Sequence, residues 1–160
     1  HLTSTKGWTL LQFTSLIPIY TCSTILSMMV YGWAIDRYGT NKLLSLYQVP
    51  MVLSFFLFGV SDSIFVAGLA FVLFGITHGA NSTIPGAFWA ENFGTKHLGS
   101  IKAMATAVSV LGSALGPAIS GILIDFNIPF STQMPFIAVF IIVCCFLNWF
   151  AVKKILRIYH

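Results

Sequence analysis

Charge is what this sequence has least of. Aspartate, glutamate, lysine and arginine make up 8% of its 160 residues, and only four residues are acidic. Soluble domains carry roughly 25% charged residues. A chain so poor in charge cannot present a hydrated surface all round, so lipid must be part of its solvent. The three cysteines, Cys22, Cys144 and Cys145, lie in apolar runs without a Cys-x-x-Cys or Cys/His pairing. That placement argues against disulfides and against a metal site. There is no glycine-rich phosphate loop, so direct use of ATP by this segment is not expected. The net charge of +4 does not point to nucleic acid, because the basic residues sit between apolar runs, where they orient a membrane protein.

What the sequence has in abundance is apolar length. Hydrophobic residues make up 57% of it, and the mean hydropathy is +0.89. Five apolar runs cover about residues 9–33, 43–60, 63–90, 101–124 and 134–152. Each is close to the roughly 20 residues that a helix needs to cross a bilayer. None alternates in the way a membrane β-barrel requires. The expectation is an all-α membrane protein with five transmembrane helices.

Apart from Lys6 in the amino-terminal stub, the basic residues fall in every second break. Arg37 and Lys42 occupy the first, Lys96 and Lys102 the third, and Lys153, Lys154 and Arg157 the tail. By the positive-inside rule these three segments, including the C-terminus, are expected to be cytoplasmic. The amino end is then outside. The chain begins at His1 without a signal-peptide pattern, so it reads as a piece of a longer protein with an odd number of spans before it.

In a membrane, close packing comes from small residues. The second and fifth runs are bulky and nearly featureless, and are expected to face lipid. The other three are expected to be inner helices. The fourth carries Gly112, Gly116 and Ser120 at i, i+4, i+8, together with Pro117 and Gly121. The third carries Gly68, Gly75, Gly79 and Gly86, and the first places Tyr20, Thr24, Ser27 and Tyr31 on one helical stripe.

Two stretches resemble a known family. Gly32-Trp33-Ala34-Ile35-Asp36-Arg37-Tyr38-Gly39-Thr40-Asn41-Lys42 is similar to the G-x-L-a-D-r-x-G-r-k loop of the major facilitator superfamily. Phe88 to Gly99, followed by Leu115-Gly116-Pro117 through Gly121 and Asp125, looks like its tenth to eleventh helices. The resemblance implies helices eight to twelve of twelve, forming most of the C-terminal six-helix bundle, with the N-terminal helices of the same chain as partners. It also implies that Gly32, Asp36, Arg37, Gly39 and Lys42 form a gating loop. Ala34 stands where the family usually has leucine, and Thr40-Asn41 where bases are common.

His78 is the most informative single residue. It lies halfway along the third run and is the only ionisable side chain that deep apart from tyrosines and thiols. Such residues are functional candidates by default, and an imidazole can change charge near neutral pH. Asn81 at i+3 and Ser82 at i+4 extend a polar patch on the same face. The alternative is a neutral histidine bonded to a neighbouring helix. Gln12, Tyr20, Thr24 and Ser27 are further candidates for lining a solute cavity, with Thr106, Ser109 and Ser113, although each residue type serves packing as often. Gly112, Gly116, Pro117, Ser120 and Gly121 are expected to serve helix packing or bending. Asn81-Ser82-Thr83 matches a glycosylation sequon but falls within a span.

The leading expectation is a secondary transporter in the plasma membrane (the inner membrane of a bacterium). It would move a small solute by alternating access, with protons as the coupling ion and without cofactor or metal. A multidrug or metabolite efflux carrier fits the same residues. So does a non-transporting receptor or assembly partner on a transporter-like scaffold. A membrane enzyme or haem protein would need paired histidines or acids at matched depth. His78 has no such partner in the sequence, so no enzyme is expected.

Overall fold

A computed structural model describes residues 9–60 and 63–159. Lys6, Asp62 and His160 lie outside them. The described residues form seven helical segments: α1 Leu10–Thr14, α2 Leu16–Tyr38, α3 Thr40–Leu44, α4 Val49–Val60, α5 Ile64–Phe93, α6 Leu98–Asp125 and α7 Phe130–Tyr159. Among them are five lengths of helix long and apolar enough to cross a membrane: Leu11–Tyr38, Thr40–Val60, Ile64–Phe93, Leu98–Asp125 and Thr132–Lys154. The secondary structure of the described residues is all-helical, with no strand among them.

Prolines account for the two interrupted spans. Pro18 has no N–H to give the carbonyl of Thr14, and α1 ends there. The turn is closed locally: the Ser15 N–H donates to the Leu11 carbonyl at 3.0 Å and its hydroxyl to the Gln12 carbonyl at 2.7 Å. In the same way Pro50 cannot donate to Leu46. The chain tightens between α3 and α4, with the Val49 N–H on the Leu46 carbonyl at 3.1 Å. Pro85 and Pro117 sit inside α5 and α6 without ending them. Each leaves the carbonyl four residues earlier, Asn81 and Ser113, without its helical partner.

α2 and α5 run past the ends of their apolar stretches. The first run suggests an end near Trp33 and the third near Ala90, whereas the helices continue to Tyr38 and Phe93. Backbone bonding does not stop where hydrocarbon does, so a helix goes on until something in the backbone ends it. Here that is a glycine at positive φ, Gly39 at 75° and Gly94 at 71°.

α5 is the central element, packed against α2, α3 and α4, while α4 also packs against α7. The closest approach is between α2 and α5. A Cβ added at Gly75 would lie 2.7 Å from the Tyr20 carbonyl oxygen, and one at Gly79 would lie 2.6 Å from that of Thr24. These two glycines, one turn apart, let the backbones touch in the small-x-x-x-small manner of membrane helices. Hydroxyls fasten the contact: Ser27 donates to the Ile76 carbonyl at 2.7 Å, and between α4 and α5 Ser54 donates to the Ala70 carbonyl at 2.7 Å.

Burial among the described residues does not follow the expected division into inner and outer helices. α4 and α7, the bulky pair, bury Ser54, Met134, Ala138 and Ile141. α6, expected inside, buries none of its residues. Nothing lies within 4 Å of a Cβ added at Gly112, Gly116 or Gly121. Small residues permit a close approach but do not create one; among the described residues no backbone meets this face.

Candidate functional site

α5 places His78 at its midpoint, the fifteenth of its 30 residues. Gly75 and Gly79 lie about 60° and 100° round the helix from His78 and pack that neighbouring side onto α2. His78 stands at the edge of this contact and is exposed, as are Asn81 and Ser82. Tyr20 flanks the patch from α2, its ring 5.8 Å from the imidazole and 5.8 Å from Phe74. The imidazole makes no hydrogen bond among the described residues. The Ser82 hydroxyl donates back to the His78 carbonyl at 3.0 Å.

Asn81 is oriented from behind. Its Oδ1 accepts from the Tyr47 hydroxyl at 3.2 Å, which itself accepts from Gln48 Nε2 at 3.3 Å. The Gln48 Oε1 then accepts from Asn148 Nδ2 and Cys145 Sγ of α7, each at 3.5 Å. The bonds run in one direction, so each donor polarises the next. With Oδ1 occupied, the amide NH₂ of Asn81 is left as the donor at the open patch. Tyr47 is 7% exposed and sits with Ala80 and Ile84 in a hydrophobic cluster, so the chain of bonds crosses a packed region.

The other sequence candidates are scattered. Thr24 and Ser27 are buried in the α2–α5 contact, with the Thr24 hydroxyl on the Tyr20 carbonyl at 2.9 Å. Their hydroxyls therefore face the helix interface rather than the open patch. Gln12 closes a capping box at the start of α1, accepting from the Thr9 N–H at 3.0 Å. Ser109 and Ser113 bond back to the carbonyls of Ala105 and Val110 on α6 at 2.9 and 2.8 Å, and Thr106 is exposed on the same helix. No hydrogen bond joins them to α2 or α5 among the described residues. Tyr47, Gln48 and Asn148 were the residues missed. They are isolated polar side chains in the two bulky runs, and in a membrane each needs a partner.

The loop from α2 to α3 is held by one side chain. Thr40, 1% exposed, donates its hydroxyl to the Glu91 carboxylate at the far end of α5. Arg37 lies 5.6 Å from the centre of the Trp33 ring and 5.9 Å from that of Tyr38. Neither Asp36 nor Arg37 forms an ion pair among the described residues, and both are exposed. Gly39 supplies the left-handed turn, Gly32 has open space beside it, and Lys42 is exposed. Thr40→Val keeps the shape and removes the donor. It is expected to cost about 1 kcal/mol, the ordinary net worth of one hydrogen bond, read as a lower melting temperature in detergent. An unchanged melting temperature would show that the carboxylate is served equally well by water.

These features define a polytopic helical membrane protein with a polar patch halfway along its central helix, backed by a chain of hydrogen bonds. The family model of the Major Facilitator Superfamily matches residues 1–156, and the chain belongs to that superfamily of membrane transporters. No curated protein and no solved structure matches it.

Proposed function

We propose that the chain forms part of a secondary active transporter, moving a small solute by alternating access with His78 as the proton-coupling group. The observation that carries this reading is the placement of His78: an ionisable side chain at the centre of a 30-residue spanning helix, turned to an open polar face. Beside it the Asn81 NH₂ is a donor held in place by Tyr47. A histidine and an amide donor suit a solute oxygen, whether of a neutral molecule or a monoanion. Protonation of the imidazole would add a positive charge at the depth where transporter solutes bind.

The loop at Gly32–Lys42 supports placing the spans as helices eight to twelve, with the α2–α3 loop, the α5–α6 loop and the C-terminus in the cytoplasm and the protein in the plasma membrane. The bond from Thr40 to Glu91 supports a gating part for that loop, because it joins the loop to the end of the helix that carries His78.

The test uses the full-length protein in proteoliposomes with a pH-sensitive dye inside. Monocarboxylates, sugars, amino acids and cationic drugs are added in turn. The expected result is that one class drives proton movement together with its own uptake. Specific binding of a solute without uptake would replace the transporter reading with that of a receptor.

A further inference from the structure

Two apolar grooves lie at the end of α7, on either side of one ridge. The first, of about 360 Å³, lies between α3 and α7 and is lined by Asn41, Lys42, Ser45, Leu46, Trp149, Val152 and Lys153. The second, of about 450 Å³, is lined by Trp149, Phe150, Lys153 and Lys154. Trp149 and Lys153 belong to both. Lys153 Nζ sits 3.8 Å above the Trp149 ring, so the ridge is an aromatic face crowned by an ammonium. Among the described residues no acidic side chain lines either groove.

Position in the fold says which kind of molecule meets these grooves. The spanning part of α7 ends at Lys154 and the second span begins at Thr40, so Lys42, Lys153 and Lys154 mark one membrane boundary. Tryptophan is at home at that depth, and lysine stems lie along apolar surface while the ammonium reaches the headgroup layer. Leu46 and Phe150 line the apolar sides and are exposed, while Val152 in the first groove is already buried. At this depth hydrocarbon is the natural cover for the exposed pair.

We propose that this end of α7 is a binding site for one anionic phospholipid. The phosphate sits between Lys42 and Lys153, and one acyl chain lies in each groove, with the Trp149 ridge between them. A diacyl lipid has the two features the surface asks for together: two adjoining hydrocarbon tails and a negative charge where they join. Basic pockets between membrane helices recognise acidic headgroups in this way. A soluble anion would satisfy the lysines but leave both grooves uncovered. A zwitterionic lipid would fill the grooves, but its own cation would offset the attraction.

The experiment is native mass spectrometry of the full-length protein, purified in detergent and titrated with dioleoylphosphatidylglycerol or dioleoylphosphatidylcholine. The wild type is expected to retain the phosphatidylglycerol preferentially. Lys42→Gln and Lys153→Gln should each weaken that binding about 5-fold, and the pair about 30-fold. Lys96→Gln, in the α5–α6 loop, should leave it unchanged. All the substituted lysines are exposed, so melting temperatures serve as the check on folding. Equal retention of the two lipids would overturn the proposal, as would equal loss in the Lys96 variant. Displacement of the lipid by millimolar inorganic phosphate would also overturn it, since that would leave a simple anion site.

Discussion

The double substitution Gly75→Ala and Gly79→Ala is expected to be the most damaging small change that can be made in this protein. Each new methyl would lie under 3 Å from a backbone carbonyl of α2, and the Gly79 methyl also 2.7 Å from the Ser27 Cβ. A flexible side chain can step aside from such a clash, but a helix backbone cannot do so without moving the helix. Alanine gains about 1 kcal/mol over glycine in helix propensity. Overpacking costs about 1–3 kcal/mol per site, and more when the neighbour is rigid. The steric term wins, and the separated helices also lose the Ser27 bond to Ile76. A fall in melting temperature and in the yield of monodisperse protein in detergent is the expected reading. Gly99→Ala, with nothing within 4 Å of the new methyl, is the control and should be neutral or slightly stabilising. Should the double variant melt with the wild type, the close α2–α5 contact is not what holds the bundle.

His78→Ala is expected to abolish solute-driven proton flux while leaving the protein folded. The fold should survive because the side chain is exposed and has only a ring contact, with Tyr20 at 5.8 Å. Removing it opens no cavity and strands no polar partner. Glutamine at the same position separates two roles. It keeps a polar group of similar reach but cannot change charge, so solute uptake down its own gradient should persist while its response to pH disappears. Both variants and the wild type are compared in the same proteoliposomes, with dye and labelled solute read together. Undiminished proton movement in the alanine variant would remove His78 from the coupling mechanism and return it to an ordinary place on the helix face.

Much of the fold could be read from the chain because a bilayer imposes a length. Five apolar runs of about the required span, separated by breaks that hold the charges, leave little freedom in assigning helices. The loop at Gly32–Lys42 could be read because Gly39 must adopt a conformation that other residues avoid. What could not be read is which small residues meet a neighbour. Gly75 and Gly79 have the same spacing as Gly112 and Gly116, yet only the first pair touches a backbone. Spacing is a property of one helix, and contact is a property of two.

The same ambiguity affected the site. Thr24 and Ser27 lie on a polar stripe with Tyr20, which suits a cavity and an interface equally well until the partner helix is placed. Gln48 and Asn148 stand 100 positions apart in runs dominated by leucine, phenylalanine and isoleucine. Nothing local to either position signals the other. Thr40 stands in the sequence as a departure from a basic loop pattern, and its partner, Glu91, is 51 residues away.

Pro85 turns the last part of α5 into a lever. Its missing bond softens the helix just beyond Asn81, while Glu91 lies six residues further on, about 9 Å along the axis at 1.5 Å per residue. A proline kink that changed by about 20° would carry the carboxylate about 3 Å sideways. That stroke is enough to part it from the Thr40 hydroxyl. Any movement at the kink would in this way be enlarged at the end of the helix, and a stiffened α5, with alanine at position 85, would carry it as a tilt of the entire rod instead.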